Sequence, residues 1–337
     1  MISSSPFKTK TCKDNLEKSR NNISFLLLLN LFFPSMKTLQ EIVNEFFNIS
    51  RQEKYLLLAW ILKIKKEYLL AHPEHPLTHK EVASLRILFK KREKGIPIAY
   101  LIQNKEFYGL DFFVNKNVLI PRPETELIIE EILREKEKIP LSEKILFLEI
   151  GTGSGCITIT LANLFKDNPK QNVFFATDIS KKALKVAKIN ARKHEAIKKI
   201  HFLSSDLLSF SPKILNSFSQ LFSEISHCFF IANLPYIPQK YYDKAHTHDY
   251  SLGITFEPEI ALVSGKTGFD LYQKLFWQLR NFLLPKNTVF FFEFFGNTQQ
   301  KNLFKKETSL LFDQYSFKFL PDLSGKMRVV VIKNFSE

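Results

Sequence analysis

Between Lys144 and Glu293 short apolar runs alternate with segments of helical period, and this alternation limits the possible folds more than any other feature. "KILFLEI", "NVFFATD", "KIHFLSSD", "CFFIAN" and "TVFFFEF" read as strands; "CITITLANLF", "KKALKVAKINARKH" and "DLYQKLFWQLRNFL" read as helices. Continuous apolar runs suit strands buried on both faces, and strands separated by helices pair in parallel. The expectation is an open α/β sheet with helices on both faces. The closing segment, "FKFLPDLSGKMRVVVIK", has two strands in succession, so the last strands are expected to pair antiparallel. The Ser-rich stretch 210–227 reads as a polar helix or loop.

Upstream the pattern differs. Leu39, Ile42, Val43, Phe46 and Phe47 recur at helical spacing, "YLLLAWILKIKKEYLL" continues as helix, and Val82, Leu85 and Leu88 form another stripe. Between them "AHPEHPLTHKE" is a Pro-broken loop whose Thr78 can cap the next helix. Residues 36–94 are therefore expected to form a helical bundle. In residues 95–120 two β-rich runs flank polar, turn-forming residues, as in a hairpin linker. In "PRPETELIIEEILREKEK" two prolines constrain the entry and Thr125 or Glu124 opens a helix, so the α/β domain is placed at 121–337. Residues 23–33, "ISFLLLLNLFF", are too short to span a bilayer, which needs about 20 residues. They are like the apolar core of a signal peptide, but no small-x-small cleavage site follows. Met36 opens "MKTLQEIVNEFF" like a domain start, so residues 1–35 read as an extension from a start-site assignment; a cleaved targeting segment is the alternative.

The chain has 337 residues, 45% of them apolar, enough to bury a substantial core. Its formal net charge of +14 raises the question of a nucleic-acid partner. The charge is spread along the chain and carried mostly by lysine, so no stable nucleic-acid binding is expected. Cys12, Cys156 and Cys228 are far apart, odd in number and match no metal spacing, which fits a reducing compartment. His246 and His248 read as a solvated loop, and no metal site is expected.

"LEIGTGSGC", residues 148–156, follows the first strand of the alternating region and opens a helix. Gly151, Gly153 and Gly155 permit a tight turn and close approach of backbone to a ligand, at the strand end where open α/β sheets bind cofactors. The spacing is one residue tighter at the third glycine than in the dinucleotide fingerprint. Glu149, two residues before the first glycine, would repel a pyrophosphate but can hold an ammonium through a hydrogen-bonded network. These features favour an amino-acid-like ligand such as S-adenosylmethionine over NAD; a turn without a ligand is the plainer reading. Asp178 ends the second strand, where an acid can accept both ribose hydroxyls, and Asp206 ends the third, where one can accept from an adenine amino group. A turn or cap aspartate would look the same at either position. Three acids beside one glycine turn make coincidence a poor explanation.

The fourth strand leaves the core through Asn233-Leu234-Pro235-Tyr236, which resembles the signature of methyltransferases that modify amino or amide nitrogens. Within that class the chain resembles the release factor glutamine methyltransferases, the PrmC/HemK family, over roughly residues 36–335. The resemblance also rests on "GIPIAYLIQNKEFYGLDFFVNKNVLIPRPETE", "EPEIALVSGKTGFDLYQKL", the strand carrying Glu293 and "PDLSGKMRVVV", all in the family's order. It implies a seven-stranded Rossmann-like methyltransferase sheet preceded by a helical substrate-docking domain. It implies that S-adenosyl-L-methionine binds Glu149, Gly151, Thr152, Gly153, Ser154, Gly155, Asp178, Asp206, Leu207 and Asn233. In the family the position of Leu207 can hold a bulkier aromatic, and proline often stands at 234. Phe107 and Tyr108 would wall the substrate glutamine, unless they only pack the hairpin. Arg122 would anchor the linker or form a surface ion pair.

An amide nitrogen is a poor nucleophile because its lone pair is delocalised into the carbonyl. Methyl transfer to it requires alignment, and two acceptors on its two N–H groups supply that. Asn233 offers its side-chain oxygen and Leu234 its backbone carbonyl, which Pro235 biases toward an extended setting. Tyr236 packs on the flat amide. The resemblance implies methylation at N5 of the glutamine in the Gly-Gly-Gln motif of class 1 peptide-chain release factors, by a cytoplasmic monomer without membrane attachment. The rival readings are a glutamine methyltransferase of a large-subunit ribosomal protein and, further off, an adenine-N6 nucleic-acid methyltransferase.

Overall fold

The computed structural model describes residues 36–167, 172–222, 224–245 and 253–334. The expectations for residues 1–35 and for His246 and His248 lie outside these. The chain divides into two compact units, with the boundary between Lys94 and Gly95.

Among the described residues the first unit contains four helices: α1 (Leu39–Asn44), α2 (Arg51–Leu62), α3 (Lys66–Ala71) and α4 (His79–Glu93). Three of them open on capping boxes, Thr38 with Glu41, Ser50 with Glu53 and Thr78 with Glu81. In each box the hydroxyl takes an orphan backbone N–H while the Glu carboxylate returns to the cap's own N–H. The run 55–70 is two helices, because Lys63 turns left-handed at φ 58° and ends α2. Leu39, Ile42, Tyr55, Leu58, Leu69, Leu85 and Phe89 form the core. Lys54 buries its stem and donates from Nζ to the Val43 carbonyl at 2.9 Å, in the last turn of α1.

The second unit opens with a short helix, α5 (Ile98–Ile102), and a hairpin of β1 (Asn104–Phe107) and β2 (Leu110–Phe113). The apolar run "IPIAYLI", at the start of the stretch expected to be a hairpin linker, holds this helix; it ends where Gln103 turns left-handed. The hairpin turns at Tyr108 and Gly109, whose φ values of 50° and 73° fit a two-residue turn. After a 3₁₀ turn at Pro123–Thr125 come α6 (Glu126–Lys136), β3 (Ile145–Ile150), α7 (Cys156–Leu164), β4 (Asn172–Asp178) and α8 (Lys181–Lys193). Next are β5 (Ile200–Ser204), α9 (Pro212–Phe222), β6 (His227–Ala232), α10 (Gln239–Ala245) and α11 (Asp270–Leu279). The last elements are β7 (Asn287–Glu293), α12 (Thr298–Ser309), β8 (Tyr315–Pro321) and β9 (Met327–Asn334).

Seven strands form one sheet in the order β5-β4-β3-β6-β7-β9-β8. The first five are parallel, and β9 and β8 pair antiparallel at one edge, as the sequence pattern predicts. Ile145 and Phe147 of β3 pack with Ile128 and Ile132 of α6, while Leu146 and Leu148 pack toward Tyr272 and Phe276 of α11. Both faces are thus covered. The chain runs outward from β3 through β4 to β5, then returns to place β6 on the other side of β3. The β3/β6 boundary is therefore the switch point, and its carboxyl edge is where open α/β sheets form ligand crevices.

Candidate active site

A cavity of about 290 Å³ lies on that edge. Its lining includes Gly151–Ser154 after β3, Asp178–Ser180 at the end of β4, Ser205–Leu207 after β5 and Asn233–Pro235 after β6. A smaller cavity of about 160 Å³ shares Asn233 and Leu234 with the first and adds Tyr236, Phe295 and Arg328. Asn233 and Leu234 therefore stand between two spaces.

The glycine turn is fixed at the β3/β4 ends. Gly151 and Thr152 donate their N–H groups to the Thr177 carbonyl at 2.9 and 2.8 Å, and Gly153 donates to Asp178 Oδ2 at 2.9 Å. Gly151 has φ 77°, and a Cβ there would come within 2.9 Å of the Leu234 side chain. Gly155 does not line the cavity. It opens α7 at φ 83°, and a Cβ on it would fall 2.7 Å from Ile159 and 3.2 Å from Ala187 of α8, so its role is close helix packing.

Glu149 is buried beneath the turn. It accepts from the Thr152 hydroxyl at 2.6 Å, from the Thr158 hydroxyl and from the Thr158 N–H at 3.3 Å. Burial pushes its carboxyl up to about 7 despite these donors. Asp178 accepts from Ser180 N–H at 2.8 Å as well as from Gly153, and burial raises it too. Asp206 pairs with Lys274 Nζ at 2.5 Å on the cavity rim, and Leu207 beside it is held at φ 54°. The second cation of the wall, Arg122, is paired with buried Glu257, which also accepts from the Ile120 N–H at 2.9 Å. That bond ties the linker to the loop before α11. Three carboxylates with both cations paired suit a cationic nucleoside better than a pyrophosphate, so the residues present fit S-adenosylmethionine.

Behind Asn233-Leu234-Pro235-Tyr236 lies a network that the sequence pattern did not reveal. Asn233 Nδ2 donates to Glu293 Oε2 at 3.0 Å and to Thr125 Oγ1 at 3.2 Å. Thr125 donates to the same carboxylate oxygen at 2.6 Å, and the Tyr236 hydroxyl donates to Glu293 Oε1 at 2.8 Å. A carboxylate only accepts, so the nitrogen of Asn233 faces Glu293 and the amide oxygen faces away. Leu234 donates its N–H to the Tyr272 hydroxyl at 3.3 Å, and among the described residues no hydrogen-bond donor meets its carbonyl. Thr125, read as a helix opener, precedes α6 but makes no side-chain cap; its hydroxyl belongs to this network. The available signal was Glu293 itself, a lone acid in the apolar run "TVFFFEF". Phe107 is 1% exposed, packs against Phe112 and lines neither cavity, so the structure assigns it to the core and not to the acceptor wall. Among the described residues no cluster of three His, Cys, Asp or Glu is placed to hold a metal, and no helix is long and apolar enough to cross a membrane.

Residues 44–102 match the family described as PrmC N-terminal domain, and residues 141–255 match a methyltransferase domain. A release factor glutamine methyltransferase of Koribacter versatilis is 36% identical over 276 residues, covering 82% of this chain and 88% of that one. The chain belongs to the release factor glutamine methyltransferase family. The family member of Bacillus cereus is 33% identical over 281 residues, with 82% and 89% covered. That of Mycoplasma mycoides is 30% identical over 305 residues, with 88% and 97% covered. The catalytic domain of hMettl16, solved with a MAT2A 3'UTR hairpin, aligns with a TM-score of 0.50 at 14% identity over 83% of this chain and 91% of that one. That likeness concerns the fold alone. Within the release factor glutamine methyltransferase family, this chain carries leucine at the second position of Asn233-Leu234-Pro235-Tyr236. Its Leu234 is held from both sides, by the Tyr272 hydroxyl and by contact with the glycine turn.

Proposed function

We propose that the chain uses S-adenosyl-L-methionine to methylate the side-chain N5 of the glutamine in the Gly-Gly-Gln motif of class 1 peptide-chain release factors. The observation that carries this reading is the fixed orientation of Asn233, whose nitrogen is engaged by Glu293 and Thr125 and whose oxygen is left open. When bound, S-adenosylmethionine supplies an electrophilic methyl group on a sulfonium. Glu149, Gly151, Thr152, Gly153, Ser154, Asp178, Asp206 and Leu207 hold it, with Asp178 on the ribose and Asp206 on the adenine after exchanging Lys274. Asn233 Oδ1 and the Leu234 carbonyl accept the two N–H groups of the substrate amide. That grip turns the nitrogen toward the methyl and stabilises the positive charge growing on it. The proton leaves after transfer, so no general base is needed at the outset. Pro235 limits Leu234, and Tyr236 packs on the amide. The helical unit at 36–94 docks the protein substrate, and the enzyme works in the cytoplasm as a monomer.

Purified protein with labelled S-adenosylmethionine is expected to label a class 1 release factor and to leave unlabelled a variant whose Gly-Gly-Gln glutamine is replaced by alanine. Label entering a large-subunit ribosomal protein or DNA in place of the release factor overturns the reading.

A further inference from the structure

The methyl-transfer reading assigns no role to the most deeply placed member of the network, Glu293 at the end of β7. It is 1% exposed, far from an ordinary site for a carboxylate, and three side chains converge on it. Thr125 Oγ1 is 2.6 Å away, Tyr236 Oη 2.8 Å and Asn233 Nδ2 3.0 Å, and each brings a hydrogen. Burial raises the Glu293 carboxyl and the Thr125 and Tyr236 hydrogen bonds oppose that rise; Asn233 Nδ2, which can only donate, meets an accepting oxygen, Oε2, in either protonation state. Arg122 and Arg328 line the neighbouring small cavity, and each is itself paired, with Glu257 and Asp322. Burying a carboxyl group is costly unless something requires it. A hydrophobic residue of similar volume would serve packing better, because its chain neighbours Phe292 and Phe294 are both fully buried.

We propose that Glu293 is the positioning residue of the acceptor site: its carboxylate fixes which end of the Asn233 amide meets the substrate. An asparagine amide is nearly symmetric in shape, and either of two orientations related by a half-turn fits the same space. Only one presents an acceptor to a substrate that arrives with two N–H groups; the other sets donor against donor. Glu293 and Thr125 together select the productive one. The carboxylate also sits one hydrogen bond behind Asn233, so it polarises the amide and makes Oδ1 a stronger acceptor as positive charge grows on the substrate nitrogen. The Tyr236 hydroxyl bond extends the same hold to the last residue of the tetrapeptide, and the Tyr272 hydroxyl, 2.5 Å from the Glu293 carbonyl, links the backbone of β7 to the Leu234 N–H. The two expected acceptors of the site are thus both set from the end of one strand. This role rests on Asn233 acting as a ligand of the acceptor amide.

The test is a double-mutant cycle read by turnover of the full chain on whichever protein the wild type methylates. Glu293→Leu keeps the volume and removes every acceptor; it is expected to lower kcat about 100-fold. Affinity for S-adenosylhomocysteine should stay within about threefold of wild type. In the Asn233→Ala background, followed by single-turnover labelling, the same substitution is expected to change the rate less than about threefold, because its target is gone. Glu293→Gln, which keeps one acceptor and the shape, should show a smaller loss and the same non-additivity. Equal losses in both backgrounds, or S-adenosylhomocysteine affinity falling together with kcat in both variants, would make Glu293 a packing residue and overturn the proposal. A wild type that labels no release factor contradicts the proposed function. A competent wild type with an indifferent Glu293→Leu contradicts only this role.

Discussion

At the scale of single residues, the site depends on how a few polar groups are held in an apolar frame. Glu149 makes the site sensitive to pH. Its folded carboxyl titrates at about 7 against an ordinary value of 4.5, so the folded state binds this proton more tightly than the unfolded one. Its contribution to stability is complete below about pH 4.5 and is lost as pH climbs through about 7, by about 3 kcal/mol in all. Denaturant titrations of wild type and Glu149→Gln at pH 4.5 to 8 should diverge over that window, with the variant gaining relative stability as pH rises; a constant difference would refute the shift. Gly151 is the second test. A methyl group there meets Leu234 in a left-handed backbone, so Gly151→Ala is expected to weaken S-adenosylhomocysteine binding at least about tenfold, as calorimetry would register. An unchanged affinity would separate the turn from the cofactor.

At the scale of elements, much of the structure was legible and the exceptions have physical causes. The capping boxes can be read directly as Ser or Thr three residues before Glu, and replacing Thr78 by Ala should cost about 1 kcal/mol in chemical denaturation. A change below a few tenths would mean that α4 is held by packing alone. The strands of the sheet were legible because parallel strands buried on both faces are continuous apolar runs. "IPIAYLI" misled for the same reason: a short apolar run does not disclose its period, and here Pro97 at the cap and left-handed Gln103 decide for a single helical turn. The hairpin turn falls at Tyr108, an unusual residue for positive φ, where its N–H finds the Glu126 carboxylate at 2.9 Å. The glycine turn and "NLPY" were visible because their chemistry is local. The Asn233–Thr125–Glu293 network was not, since its members lie up to 168 residues apart and meet only when β6 and β7 pair.

At the scale of the whole molecule, the order of strands explains why the chemistry gathers where it does. Placing β6 beside β3 brings the end of "CFFIA" next to the end of "ILFLEI", so the acceptor tetrapeptide and the glycine turn meet though 78 residues separate Gly155 from Asn233. Leu234 then bridges the two cavities, touching the space of Gly151 on one side and lining the smaller cavity on the other. Under the proposed function this arrangement divides the labour between strand ends: the β3, β4 and β5 ends for the cofactor, the β6 end for the acceptor. The most direct measurement of that division is the single-turnover rate of Asn233→Ala at saturating S-adenosylmethionine, against the wild type on the same release factor. The division predicts a fall of at least about 100-fold that no excess of cofactor recovers. A rate near wild type would contradict it and remove Asn233 from the transfer.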